Sequence, residues 1–199
     1  LRRECLRLLK KVRGAQWERV GVHETAGRLR MDDLLRRHAF GNDEAHLGQI
    51  EAIKTRFAIL ERLSRGPEDL RALTRALGDK AIRRAPAPGK WSMVEIACHL
   101  RDMETLYAER FTKLAHQDHP VFWVTENHHL AEVRRYREAS LPSVIKEWKR
   151  LRADTLVLLR ALPHAVWQRT GTHPERGVVS IEDLATHLGN HDGSHLEQV

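Results

Sequence analysis

The chain has 199 residues, 41% of them hydrophobic, and 34 Lys and Arg against 27 Asp and Glu give a formal net charge of +7, with a pI near 9.8. That length can bury a core and suggests one domain with an appendage. No apolar run approaches the roughly 18–20 residues of a membrane span and no leader pattern opens the chain, so no membrane association and a cytoplasmic location are expected. The positive charge is spread, net +4 over residues 1–50 and +3 over 51–199. Lys149 and Arg152 alternate with Glu147 and Asp154 as on a solvated helix face. No helix-turn-helix, aromatic stacking platform or glycine-rich phosphate loop is evident, so nucleic acid is not an expected partner. Cys5 and Cys98 are too far apart for a disulfide framework or zinc knuckle, which fits a reducing compartment.

Residues 1–50 read as a fragment of an internal repeat. WERVGVHETAGRLRMDDL from Trp17 matches WQRTGTHPERGVVSIEDL from Trp167 at an offset of 150, and LRRECLRLLKK matches LRADTLVLLRA at the same offset. After a one-residue gap, NDEAHLGQI ending at Ile50 matches HDGSHLEQV ending at Val199. The expected organisation is therefore the C-terminal portion of an incomplete first repeat in 1–50 and a nearly whole second one in 51–199. Apolar surface on the first copy, including Leu34, Leu35 and Phe40, then needs a partner within or between chains, and a homodimer is expected.

From Gln49 to Arg65 the periodicity predicts a helix with Ile50, Ile53, Phe57, Leu60 and Leu63 on one face, interrupted at Gly66-Pro67. A second helical piece runs to about Leu77. Ala85 to Gly89 is a rigid connector. Ser92 caps a long helix to about Ala115, with Glu95 completing a capping box. A polar loop carries Pro120, Phe122 and Trp123. Another helix spans roughly Ser143 to Leu162 with Val144, Trp148, Leu151, Leu156 and Leu159 on its apolar face, and Pro163 stops it. The last helix starts at Ser180, capped with Asp183. Strand-like alternation is nearly absent, so the expected fold is all-α, an up-down four-helix bundle.

Three of the 13 histidines stand out. His191 and His195 are four residues apart, one above the other on a helix, as two imidazoles must be to share an ion. They continue the stripe of Ile181, Leu184 and Leu188 and so point inward. His99 lies on the stripe of Ile96, Met103 and Leu106. The triad His99, His191 and His195 is a candidate metal site; the same placement also suits core imidazoles held by one hydrogen bond. His116, His119, His128, His129, His164 and His173 sit in polar surroundings and read as solvated. In the first copy Asn42 stands where His191 does, His46 matches His195 and His38 matches His187, so only the second copy is expected to bind metal. His187 is either a supporting group behind His191 or a plain helix residue. Asp102 could orient a ligand or water, or serve as a surface carboxylate. Glu95 could be a further ligand, although capping already explains it. Gln198 and Asp192 flank the pair, Asp192 off the histidine face and solvated. Arg110 could bind an acidic substrate group or lie exposed, and Cys98 points about 100° from His99 into ordinary packing.

PAPGKWSMVEIACHLRDME, the segment from Trp167 to Gly177 and HDGSHLEQV resemble the DinB/YfiT-like family, the DinB superfamily of four-helix metalloenzymes, over about residues 52–199. The resemblance implies a metal triad at His99, His191 and His195. It implies a divalent ion, zinc by ligand type, with nickel, iron and manganese also compatible. Some members are thiol-dependent transferases or isomerases. The expected reaction is accordingly transfer or addition of a low-molecular-weight thiol, held as a thiolate on the metal, to an electrophilic small molecule. A metal-dependent hydrolase, and a non-enzymatic, metal-stabilised, stress-associated binding or dimerisation module, are the alternatives.

Overall fold

The computed structural model describes residues 2–24, 26–37, 41–123 and 127–199. His38 and Phe40, and the side chains of Asn42, His128 and His129, lie outside that description. The chain divides into two compact units, Leu1–Thr55 and Arg56–Val199.

The first unit contains α1 (Arg2–Leu9), a 3-10 turn at Gly14–Glu18, the hairpin β1 (Val20–His23) and β2 (Gly27–Arg30), and α2 (Met31–Leu35). It ends within α3, which runs Gly41–Thr74 across the division. Among its described residues none is buried, and Val20, Val22, Leu47 and Ile50 are exposed.

The second unit is a four-helix bundle made of the rest of α3, α5 (Met93–His116), α7 (Leu141–Ala161) and α9 (Ile181–Leu196). Short α4 (Asp79–Ile82), α6 (Asn127–Val133) and α8 (His164–Trp167) lie in the connections. One end of the core is built from Leu63, Phe111, Leu114, Leu159, Ile181 and Leu188. The other holds Leu70, Val94, Leu100, Tyr136 and Trp148.

The capping boxes fold as their residues dictate. Glu95 accepts the Ser92 backbone N–H at 2.8 Å and its hydroxyl at 2.7 Å. Asp183 accepts the same two donors of Ser180, at 2.9 and 2.7 Å. Each box satisfies orphan groups of a helix terminus and fixes where the helix begins, hence where its histidines fall four to five turns or fewer later.

Two expectations about α3 are corrected. The helix does not break at Gly66-Pro67: α3 is continuous with Pro67 inside it. Proline removes one N–H and leaves the carbonyl four residues earlier without its helical donor. Here that carbonyl, of Leu63, accepts the Arg152 Nη1 at 2.5 Å. Gly66 belongs to the same contact, since a Cβ there would lie 3.2 Å from Asp192 Oδ2 and from the Trp148 ring. Next, Ile50, Ile53 and Phe57 are exposed. The face of α3 that meets the core is Arg56, Ile59, Leu63, Leu70 and Thr74, a stripe masked in sequence because it starts on an arginine. Arg56 is accommodated by stacking over Trp167, 5.1 Å from the ring centroid, and by Glu182 at 3.6 Å.

The bundle is helical as expected, and a short antiparallel hairpin precedes α9, β3 (Thr170–His173) and β4 (Gly177–Ser180), with Thr170 opposite Ser180 and His173 opposite Gly177. Four-residue strands are too short to show alternation. In β1 and β2, Val20 pairs with Arg30 and His23 with Gly27, the same register 150 residues earlier. Residues 120–122 run beside β3: Thr172 N–H donates to Pro120 and Phe122 N–H to Thr172, both at 2.9 Å. Gly171 permits this approach, because a Cβ there would sit 2.5 Å from the Pro120 carbonyl. Phe122 is thereby buried while Trp123 is exposed. No helix among the described residues is long and apolar enough to cross a membrane.

Candidate metal centre

His99 lies near the second turn of α5, and His191 and His195 lie on the last turns of α9. The ring centroids are 5.0 Å apart for His99 and His191, 4.8 Å for His99 and His195, and 4.6 Å for His191 and His195. The Nε2 atoms of His99 and His191 are 3.0 Å apart, and one nitrogen of each of the three lies within 4.8 Å of the others. Trp91, just before the Ser92 cap, walls the cluster, 4.8 Å from the His99 ring and stacked 6.3 Å from that of His195. Among the described residues this is the group of three or more His, Cys, Asp or Glu with metal-ligand spacing.

Bonds of about 2.1 Å at a tetrahedral ion put ligand nitrogens ~3.4 Å apart, within the range the triad spans. The charge state also fits. Burial, and then the neighbouring imidazoles His195 and His99, press the His191 pKa down to about 3. Burial lowers that of His195, with Gln198 opposing. These rings are therefore neutral at pH 7 with lone pairs available. Facing lone pairs at 3.0 Å repel unless a proton or a cation lies between them, and a single cation there can engage His195 as well. The Nδ1 atoms of His191 and His195 are buried and have no hydrogen-bond partner among the described residues, so the cluster as it stands is under-satisfied. The donor set suits a divalent ion held by neutral nitrogen with coordination positions left over.

Asp102 does not join the cluster. Its Oδ1 pairs with Arg101 and Arg134, both at 2.9 Å, and its Oδ2 accepts the Tyr136 hydroxyl at 2.5 Å. Glu95 is held by the Ser92 cap and by Arg137 at 2.9 Å. Cys98 is buried with its thiol toward the Tyr136 carbonyl, 3.9 Å away, and burial pushes its pKa up to about 11.

Behind the triad, four residues read as solvated or exposed turn out to be buried. Asp192 is 3% exposed and Arg152 is 2% exposed, and they are ion-paired at 2.7 Å. Arg152 also donates to Glu104, itself 0% exposed. A charged residue on an apolar helix face looks like a solvated one until its partner, here 40 or 48 residues away, is known. Arg110 is 6% exposed and His173 5%. His116, His119 and His164 are exposed, as expected. His187 is half-buried and accepts or donates in two contacts, with Tyr107 and Arg176.

Similarity to known proteins agrees with this architecture. Among solved structures, YfiT from Bacillus subtilis, described as a probable metal-dependent hydrolase with an unusual four-helix bundle topology, is similar with a TM-score of 0.68 at 17% identity, over 71% of this chain and 82% of that one. TT2238, a four-helix bundle protein, is similar with a TM-score of 0.52 at 22% identity, over 70% of this chain and 94% of that one. No curated protein matches the chain. The family model of the DinB superfamily matches residues 62–199, the bundle together with all three clustered histidines, and the chain belongs to that superfamily.

Proposed function

We propose that the chain is a divalent-metal-dependent enzyme that transfers or adds a low-molecular-weight thiol to an electrophilic small molecule, with His99, His191 and His195 holding the ion. The observation that carries this reading is the convergence of three imidazoles in a cluster that, among the described residues, no carboxylate joins. Zinc, the ion best suited to these ligands, would supply an acidified open position at which a thiol loses its proton. Trp91 shields one side of the cluster, and Ser92 and Ser180 hold the two helices in the register that brings the rings together. A hydrolase, the activity suggested for YfiT, needs a general base beside the attacking water. Among the described residues Asp102 is held by Arg101, Arg134 and Tyr136, Glu95 by its cap and Arg137, and one oxygen of Asp192 by Arg152. That favours thiol chemistry, in which the metal itself removes the proton.

The test begins with elemental analysis of the purified chain and of His191→Ala. One equivalent of metal is expected in the parent and little in the variant, with the helical circular dichroism of both alike. Titrating the metal-loaded protein with small thiols while following proton release should give one proton per site. If the variant unfolds with loss of metal, the ion is structural. If no thiol releases a proton and esters or amides are turned over instead, the hydrolytic reading replaces this one.

A further inference from the structure

Beside the triad is a second polar cluster that its chemistry does not use. Tyr107 and Arg110 are one turn apart on α5 and share a face. His173 ends β3, Arg176 lies in the turn to β4, and His187 sits on α9 one turn before His191. Tyr107, Arg110 and His173 are buried, His187 is half-buried and Arg176 is exposed, so the group leads inward from the surface.

Its hydrogen bonds leave donors and no acceptors. A guanidinium can only donate, so the contact from Arg176 makes His187 Nε2 the acceptor. With Nε2 accepting, the ring proton is on Nδ1 and is given to the Tyr107 oxygen 2.5 Å away. That assignment, made from the hydrogen-bond network, leaves the phenol its own O–H to donate. His173 Nδ1 accepts the Glu175 N–H at 3.3 Å, which puts its ring proton on Nε2. Arg110 gives one N–H to the Trp123 carbonyl at 3.1 Å and lies over the rings of Tyr107 and Phe122, 5.4 and 5.6 Å from their centroids. Of the acids whose charges reach these groups, Glu109 is bound to Lys113 at 2.6 Å, Asp192 is paired with Arg152 at 2.7 Å and Glu175 is exposed. Among the described residues neither Arg110 nor Arg176 has an ion pair, whereas buried Arg152 has two and buried Arg56 has one. A buried guanidinium facing a second cation is costly unless an anion joins them.

We infer that Tyr107, Arg110, His173 and Arg176 form a subsite for an oxyanion of the substrate, a carboxylate or a phosphate, with His187 holding Tyr107 and Arg176 in place. The subsite adjoins the triad, since the His187 and His191 rings are 6.1 Å apart. On the metal-enzyme reading above, on which only this last step rests, the electrophile is a small acid that carries its reactive carbon and its charged group on one short frame.

The test is a titration of the full chain with acetate, inorganic phosphate and, as a neutral control, acetamide, following the histidine side-chain nitrogens by NMR in metal-free and zinc-loaded protein. Saturable shifts at His173 and His187 with one of the anions, in both metal states and not with acetamide, are expected, and the two anions distinguish carboxylate from phosphate. Arg176→Gln, on the exposed rim, and Arg110→Met should each weaken binding about tenfold, the loss of one charge-assisted contact, with zinc stoichiometry unchanged. No saturable shift, shifts confined to His99, His191 and His195 in the zinc-loaded protein, or an Arg176→Gln variant that binds as the parent does would overturn the subsite. Anion binding by a chain that takes up no zinc would leave the subsite standing and remove the metal reading; zinc uptake without anion binding would do the reverse.

Discussion

Replacing Arg152 with Met should be among the most damaging single changes available in the bundle. The guanidinium contacts Glu104 at 2.5 Å and Asp192 at 2.7 Å and donates to the Leu63 carbonyl at 2.5 Å. Methionine matches its stem but none of these bonds. Two carboxylates in the core then lose the cation that pairs with both, and the carbonyl that Pro67 frees loses its donor. Breaking a buried pair by removing one partner costs about 3–5 kcal/mol, and an unsatisfied buried carbonyl adds ~1–3 kcal/mol. Part of this is relieved by protonation, for burial already raises the Asp192 pKa to about 6 with Arg152 present. We therefore expect a loss of about 4 kcal/mol. With a urea m-value of ~2 kcal/mol/M, the midpoint falls by about 2 M. Urea unfolding followed by circular dichroism measures this directly. Arg152→Met/Glu104→Gln/Asp192→Asn, which removes the charges together, should recover more than half of the loss, because the stranded carboxylates and not the missing bonds dominate it. A loss below about 1 kcal/mol for the single variant would refute the reasoning and show the network to be solvated.

Two further outcomes follow from the same packing. Gly66→Val puts branched carbon where even a Cβ would lie 3.2 Å from the Trp148 ring, which is fully buried, so a loss of about 1–3 kcal/mol is expected in the same urea assay; an unchanged midpoint would mean that α3 and α7 are not in this contact. In a Cys5→Ser background Cys98 is the one remaining thiol, and its pKa of about 11 keeps it neutral in the folded chain until pH rises far above 9. Its alkylation by iodoacetamide at pH 8.5 should follow the unfolding rate and accelerate with urea, and rapid labelling of the native chain would contradict its burial.

Much of the site is legible before folding is considered. Ser92 with Glu95 and Ser180 with Asp183 announce two helix starts, and the spacing from each cap puts His99, His191 and His195 on the same stripes as Ile96, Met103, Leu184 and Leu188. Such readings succeed because caps and i, i+4 neighbours are set by one helix alone. The β3–β4 hairpin escapes them, since its strands are four residues long and its position depends on Pro120 and Gly171 meeting. Asp102 illustrates the opposite error: three residues after His99 it is near in sequence, yet it turns to Tyr136 and Arg134.

Sequence by itself determined where α5 and α9 begin, which of their faces carry the histidines, and the superfamily to which the chain belongs. Tertiary structure alone decided the fate of its charges: that Arg152 enters the core to meet Glu104, Asp192 and the carbonyl opened by Pro67, that Arg110 and His173 are buried, and that Gly66-Pro67 is a docking point within one helix. The physical reason is that an apolar stripe is recognised from its own spacing, whereas a buried charge or an orphaned carbonyl is stable only through a partner, and here the partners of Arg152 lie 40 to 89 residues away along the chain.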